Sequence, residues 1–539
     1  MKVLFATSEF AGLAKAGGLG DVSAGLPRAL RRRGVDVRVL MPAYPDVLCN
    51  AGEITIVAHL PGHSGVGPCA IGEARTADGL ILYLVIEPSL YQRAGSPYAG
   101  PRGLDWPDND LRFARLALAA ADIAAGSAGM HWQPDVLHVN DWQSALAPAF
   151  LRWRGAHVPT VLTIHNIIYQ GLFPRERMHL LGIPEHAFDI NGVEFHGSVS
   201  FLKAGLCNAD LVSTVSQTYA REITTEALGG GLHGLTSGIA AEGRLSGIVN
   251  GIDESWDPSR DPYLPHHFEA DDLLGKQSIA DLVRIGLCLT PSEGPLFGVV
   301  SRLVHQKGLD IVADAARDIV RAGGQIAILG LGDPDTEHML SRLARSHRDH
   351  IALLIGFNEP MARRIVAGSD FCLMPSRFEP CGLTQMQAQR YGSLPIAHAT
   401  GGLADTIEDG ETGFLFSDLS GEGLFAACQL AFDVFDDADV LAGMRQAAMA
   451  RDFHWSGAAA EYEQLYRRLT GPIVADAALQ PARAPQGPAG QHGAAGCGVT
   501  RKSAARSGSF ASAAAWAAII AASSASASSC SATTFLGSA

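Results

Sequence analysis

Apolar strand-like runs and helix-like runs alternate from residue 1 to about residue 470, and that alternation leaves few folds open to the chain. Val136-Leu137-His138-Val139 reads as a buried strand, residues 142–153 as a helix, and Val161-Leu162-Thr163-Ile164 as the next strand. Residues 211–215 follow as a strand, with Ser216 placed to cap a helix running through Arg221. A β-α-β rhythm of this kind predicts parallel sheets covered by helices. The rhythm restarts after a strand and turn at 247–253 and a stretch, 254–293, that begins rich in Pro, Asp and His and reads as irregular there. Phe297-Gly298-Val299-Val300-Ser301 opens a second α/β unit, with further strands expected at 326–330, 351–355, 370–374 and 394–397. The expected organisation is an N-terminal domain over 1–245, a second over 246–454, a helix at 455–470 crossing back to the first, and a hinge near 240–250.

Two glycine-rich signatures repeat each other within this frame. Lys15-Ala16-Gly17-Gly18-Leu19-Gly20-Asp21-Val22 and Thr400-Gly401-Gly402-Leu403-Ala404-Asp405-Thr406 each follow a strand-like run and precede a helix-like one. A Gly-Gly turn at a helix start exposes backbone N–H groups and the positive end of the helix dipole, which suits phosphate. Two such turns predict two similar domains facing one cleft, with a phosphate-bearing substrate between them.

At 539 residues the chain is long for one core, and its 47% hydrophobic content suits a globular enzyme. The net charge of −14 argues against a nucleic-acid binder. It leaves room for an anionic small substrate in a local basic pocket. The nine cysteines are scattered without a CxxC pair, which predicts free thiols in a reducing compartment rather than disulfides or zinc. No secretory leader or transit-like extension is visible, so a cytoplasmic location is expected. Residues 471–539 are Ala, Ser, Gly and Pro with little else and read as a disordered low-complexity tail. Its apolar run at 510–522 is too short to span a bilayer, so no membrane partner is expected. Nothing in the sequence specifies an oligomeric state.

Several charged residues stand at expected strand ends. Lys15 adds a mobile cation beside the first Gly-Gly turn; a tight turn alone would explain Gly17 and Gly18 but not the lysine. Gly18 and Gly20 do not complete the G-x-G-x-x-G spacing of a dinucleotide fingerprint. In Ser301-Arg302-Leu303-Val304-His305-Gln306-Lys307-Gly308, Arg302 and Lys307 form either a diphosphate pair or two solvated surface charges. Glu379, in Pro375-Ser376-Arg377-Phe378-Glu379-Pro380-Cys381-Gly382-Leu383-Thr384, reads as an acceptor for sugar hydroxyls or as an ordinary helix-start carboxylate. Cys381 has no activating partner in view and reads as pocket wall. Asn140-Asp141-Trp142 and Thr163-Ile164-His165-Asn166 end adjacent strands, which predicts Asp141 near His165 at the mouth of the sheet. An N-cap for Asp141 and a structural histidine for His165 are the competing readings.

Together these residues resemble the bacterial glycogen synthase and plant starch synthase family, from residue 1 to about 470. The most specific segments are 15–22, His165-Asn166-Ile167-Ile168-Tyr169-Gln170-Gly171, Phe201-Leu202-Lys203-Ala204-Gly205, 301–308, 375–385 and 400–406. The resemblance implies two Rossmann-like domains with a cleft between them, the GT-B architecture. It implies retaining transfer of glucose from a nucleotide sugar to the non-reducing end of an α-1,4-glucan such as glycogen. Bacterial members use ADP-glucose, although the motifs themselves leave ADP- and UDP-glucose open. No metal and no pyridoxal phosphate is implied; ADP-glucose is a substrate.

Carried over by motif, Lys15, Gly17 and Gly18 contact the donor and its diphosphate, and Arg302 and Lys307 neutralise the leaving group. Glu379 and the backbone around Cys381, Gly382 and Leu383 hold the glucosyl hydroxyls. His165 lies against the sugar near the anomeric carbon, and Asp141 positions donor or acceptor. Glu9, Asp21, Tyr98 and Asn250 match further pocket positions. Gln387 and Gln389 depart from the family pattern and put base contacts in question. With no evident carboxylate nucleophile, the implied mechanism is front-face displacement, the departing diphosphate taking the acceptor's proton. The rival readings are another retaining nucleotide-sugar glycosyltransferase and an inactive glucan-binding relative. The Lys-Ala-Gly-Gly-Leu-Gly-Asp opening speaks against the first, and the set of charged pocket residues against the second.

Overall fold

The computed structural model describes residues 1–471; the tail reading, with Cys497 and Cys530, lies outside the described residues. The first sheet has nine strands, in the order Leu245–Gly247, Leu211–Thr214, Thr160–Ile164, Val136–Asn140, Lys2–Ala6, Asp36–Pro42, Ile81–Ile86, Cys69–Arg75 and Thr55–Leu60. Its central strands are buried along their whole length, as mostly apolar strands are when helices cover each side. The parallel expectation fails at one edge, where Cys69–Arg75 runs antiparallel to both its neighbours. The loops there are too short for a crossover, and short loops join antiparallel strands.

The second sheet has six strands, all parallel, in the order Ile351–Ile355, Gln325–Gly330, Leu296–Val300, Phe371–Met374, Leu394–His398 and Phe414–Phe416. In both sheets the strand order reverses beside the first strand of the unit: between Lys2–Ala6 and Val136–Asn140, and between Leu296–Val300 and Phe371–Met374. Ligands of open α/β sheets bind outside the carboxyl ends of the strands at such switch points. The loops that follow these four strands carry Glu9 to Gly18, Asp141, Arg302 to Lys307, and Glu379 to Leu383.

The chain passes between the sheets twice. Ile252 N–H donates to Phe453 O at 2.8 Å, laying the two passages side by side. The helix Trp455–Thr470 then packs on Gly18–Arg32, where a Cβ at Gly25 would stand 2.1 Å from the Trp455 indole nitrogen. Tyr466 closes the contact by hydrogen bonding His138 Nδ1 at 2.7 Å. The helix expected over 142–153 is two pieces, Asp141–Ser144 and Leu146–Trp153.

Candidate active site

The first switch point is organised by Glu9. Its buried carboxylate accepts from the N–H groups of Ala16 and Gly17 at 2.7 and 2.8 Å through Oε2, and from the Tyr98 hydroxyl through Oε1. Glu9 therefore shapes the Gly-Gly turn from behind. The N–H groups of Gly18 and Leu19, at the start of the helix Gly18–Arg32, find no acceptor among the described residues. Lys15 and Asp21 pair at 2.8 Å, both partly exposed. Such a pair is worth little in water and opens readily toward an anion.

The second Gly-Gly turn does a different job, which corrects the expectation of two equivalent phosphate turns. Gly401 N–H donates to Glu222 Oε1 at 3.0 Å, Gly402 N–H to Glu379 O at 3.0 Å, and Leu403 N–H to Thr400 O at 3.1 Å. No amide of that turn is left for a ligand. Its glycines answer to backbone proximity: at Gly401 (φ +44°) a Cβ would stand 1.9 Å from Glu379 O, and at Gly402 2.1 Å from Cys381 O.

Asp141 and His165 do meet. Asp141 Oδ1 accepts from His165 N–H at 2.7 Å, so the carboxylate braces the neighbouring strand end and does not cap its own helix. Asp141 holds φ +51°, a left-handed conformation that short polar residues tolerate and that clusters at functional sites. Burial pushes its carboxyl up to about 7. His165 Nε2 lies 3.0 Å from Asn140 Oδ1. Asn140 donates its amide N–H to Ala6 O at 3.0 Å, so Oδ1 faces the ring and Nε2 carries the proton. Burial lowers the His165 imidazole to about 3, so the ring is neutral at physiological pH.

At the second switch point Lys307 donates to Glu379 Oε2, which also accepts from Ser376 Oγ at 3.0 Å. The two residues are thus partners in this state, not independent ligands. The Arg302 side chain is exposed and makes no hydrogen bond or ion pair among the described residues. Cys381 is buried, with the buried Asn250 close by, and its thiol is pushed up to about 12 by burial. A thiol so far from ionising is wall, not nucleophile. Gly382 takes φ +72°, and Leu383 leads into the helix Thr384–Arg390. Gln389 is buried, its amide donating to Thr406 O at 3.1 Å, so it is a strut beneath the site. Gln387 is half-buried on the same helix.

Asn140's hold on His165, Glu222, and an exposed apolar pair along the carboxyl edge of the second sheet are features that no motif in the sequence singles out. Leu303 N–H donates to Leu331 O at 3.0 Å, and Gly356 N–H to Gly330 O at 2.8 Å. These bonds set Leu331 beside the Arg302 loop and Phe357 at the end of the next strand outward along the same carboxyl edge, 55% and 81% exposed. A lone aromatic just past a strand end was the available signal.

Comparison with known proteins fits this geometry. The starch synthase catalytic domain family matches residues 2–238, and the group 1 glycosyl transferases match 294–432. A glycogen synthase of Pseudomonas putida is 54% identical over 87% of this chain and 90% of its own length. Glycogen synthase 1 of Bradyrhizobium diazoefficiens is 53% identical over 84% of this chain and 98% of its own. The catalytic domain of starch synthase IV from Arabidopsis thaliana, solved with ADP and acarbose, superposes with a TM-score of 0.77 at 32% identity, over 87% of this chain and 99% of that one. The two-sheet architecture is that of GT-B glycosyltransferases, and the chain belongs to the glycogen synthase family.

Proposed function

We propose that this protein transfers glucose from ADP-glucose to the non-reducing 4-hydroxyl of an α-1,4-glucan, with retention at the anomeric carbon. The observation that carries this reading is the pairing of unlike chemistry at the two switch points. The first offers unspent amides at Gly18 and Leu19 beside Lys15; the second offers Arg302 and Lys307 beside Glu379. A diphosphate held between them meets positive charge from both sides, and its departure is stabilised as its charge develops. The exposed ring of Phe357 offers a face on which a purine stacks. The relatives are named glycogen synthases, and the plant enzyme was solved with ADP, which supports the adenine nucleotide.

His165 contributes as a neutral ring. An imidazolium beside an oxocarbenium-like centre would oppose the developing positive charge, and burial of His165 removes that conflict. Asp141 has one carboxylate oxygen committed to the His165 amide, which suits bracing better than covalent attack. Glu379, released from Lys307 when the diphosphate binds, accepts hydroxyls of the glucosyl ring. The acceptor's proton then passes to the departing diphosphate oxygen on the same face. Among the described residues no helix is long and apolar enough to cross a membrane, and the seven cysteines there are free. Both suit the cytoplasmic location proposed here.

Calorimetric titration with ADP and with UDP tests the donor. The proposal expects ADP to bind at least about tenfold tighter, equivalent to about 1.4 kcal/mol. Tighter binding of UDP would overturn the donor assignment.

A further inference from the structure

The helix Gln217–Glu222 of the first α/β unit and the helix Gly401–Thr406 of the second cap each other. Glu222 Oε1 accepts from Thr400 Oγ1 at 2.8 Å and from Gly401 N–H at 3.0 Å. In return, Asp405 accepts from Thr218 N–H at 2.8 Å and from Thr218 Oγ1 at 2.5 Å. Each helix thus presents a carboxylate from its C-terminal part to the N-terminus of the other, an arrangement both helix dipoles favour. The partners are 178 and 187 residues apart in sequence.

The loop bearing Glu379 lies inside this clasp. Gly402 N–H donates to Glu379 O at 3.0 Å on one side, and Ser216 Oγ donates to Pro380 O at 2.5 Å on the other. Ser216 is fully buried and also caps its own helix through Tyr219 N–H. Gly401 and Gly402 leave the loop no free space on the clasp side. A carboxylate lost from the clasp frees the turn, and with it the backbone that aims Glu379.

We propose that Glu222 and Asp405 are positioning residues, which set the Glu379 loop of the second sheet in register with the Asp141–His165 end of the first. The inference rests on the transferase reading above. Neither residue lies in the donor-binding set; they act through Glu379.

The test is kinetic and structural on the full chain. Glu222→Ala and Asp405→Ala each lower kcat about tenfold or more with the KM for glycogen unchanged, in line with the cost of a small misplacement of a reacting group. The double variant loses less than the product of the two, because both act on one clasp. Glu222→Gln, which keeps an acceptor for Thr400 and Gly401, recovers most of the rate. Amide exchange measured in parallel shows lost protection at Gly401 in Glu222→Ala and at Thr218 in Asp405→Ala. A lower melting temperature with unchanged kcat would make the clasp merely structural and overturn the proposal, as would unaltered protection. A wild-type protein that transfers no glucose overturns the functional reading instead. The exchange arm then decides the clasp by itself, lost protection supporting it and retained protection refuting it.

Discussion

Lys307 donates to Glu379 across the switch point of the second sheet, so the cation assigned to the diphosphate and the carboxylate assigned to the sugar begin as partners. Both are largely buried, and removing one leaves the other's charge short of a partner. Lys307→Ala is expected to lower kcat/KM by about 10²–10³-fold, the scale of losing one group that stabilises a developing anion. It should also destabilise the fold by about 1–3 kcal/mol. The double variant Lys307→Met with Glu379→Gln should regain stability while remaining inactive. Urea unfolding checks this, and a double variant less stable than either single change would contradict it.

Arg302 separates catalysis from stability. Its exposed side chain has no partner among the described residues, so Arg302→Ala should shift stability by no more than about 0.5 kcal/mol. Turnover should nonetheless fall strongly if the guanidinium meets the leaving group. Near-normal turnover in the folded variant would remove Arg302 from the diphosphate site.

Asp141 on one side, and His138 and His165 on the other, pull the pH dependence of stability in opposite directions. Burial raises the Asp141 carboxyl from 3.8 to about 7, so its contribution is full below about pH 4 and is lost as pH rises through about 7. Burial lowers His138 and His165 from 6.5 to about 3, so their contribution is present above about pH 6.5 and is lost as pH falls toward 3. Asp141→Asn should therefore make stability climb more steeply than wild type between about pH 4 and pH 7. Melting temperatures across that range read the slope, and parallel profiles for the two proteins would refute the assignment.

Cys381 should be inert. With its thiol held near 12 in a buried wall, iodoacetamide at pH 8 should leave it unlabelled in the folded protein while reaching Cys49 and Cys288, which are exposed. Rapid labelling at Cys381, read by peptide mass spectrometry, would reopen a nucleophilic role.

Much of this was legible in the chain because buried parallel strands are mostly apolar runs. The segment 351–355 emerges as the strand Ile351–Ile355, and Ser216 caps its helix as expected, accepting from Tyr219 N–H at 3.2 Å. The meeting of Asp141 with His165 followed from their places at the ends of neighbouring strands. The antiparallel edge was not legible: Thr55–Leu60 is mostly exposed and has no long apolar run to announce it. The two Gly-Gly turns look alike in sequence because glycine serves equally to free an amide and to let two backbones touch. What separates them is Glu222, a carboxylate 179 residues from Gly401, and no local pattern carries that information. The tie between Lys307 and Glu379, 72 residues apart, is hidden for the same reason.

Glucosyl transfer itself is measured by incubating the purified protein with glycogen and glucose-labelled ADP-glucose or UDP-glucose and counting label in the polymer. Incorporation is expected from ADP-glucose, with little from UDP-glucose, and is expected to be lost in Lys307→Ala. Folded wild-type protein that adds no label from ADP-glucose would contradict the proposed transfer.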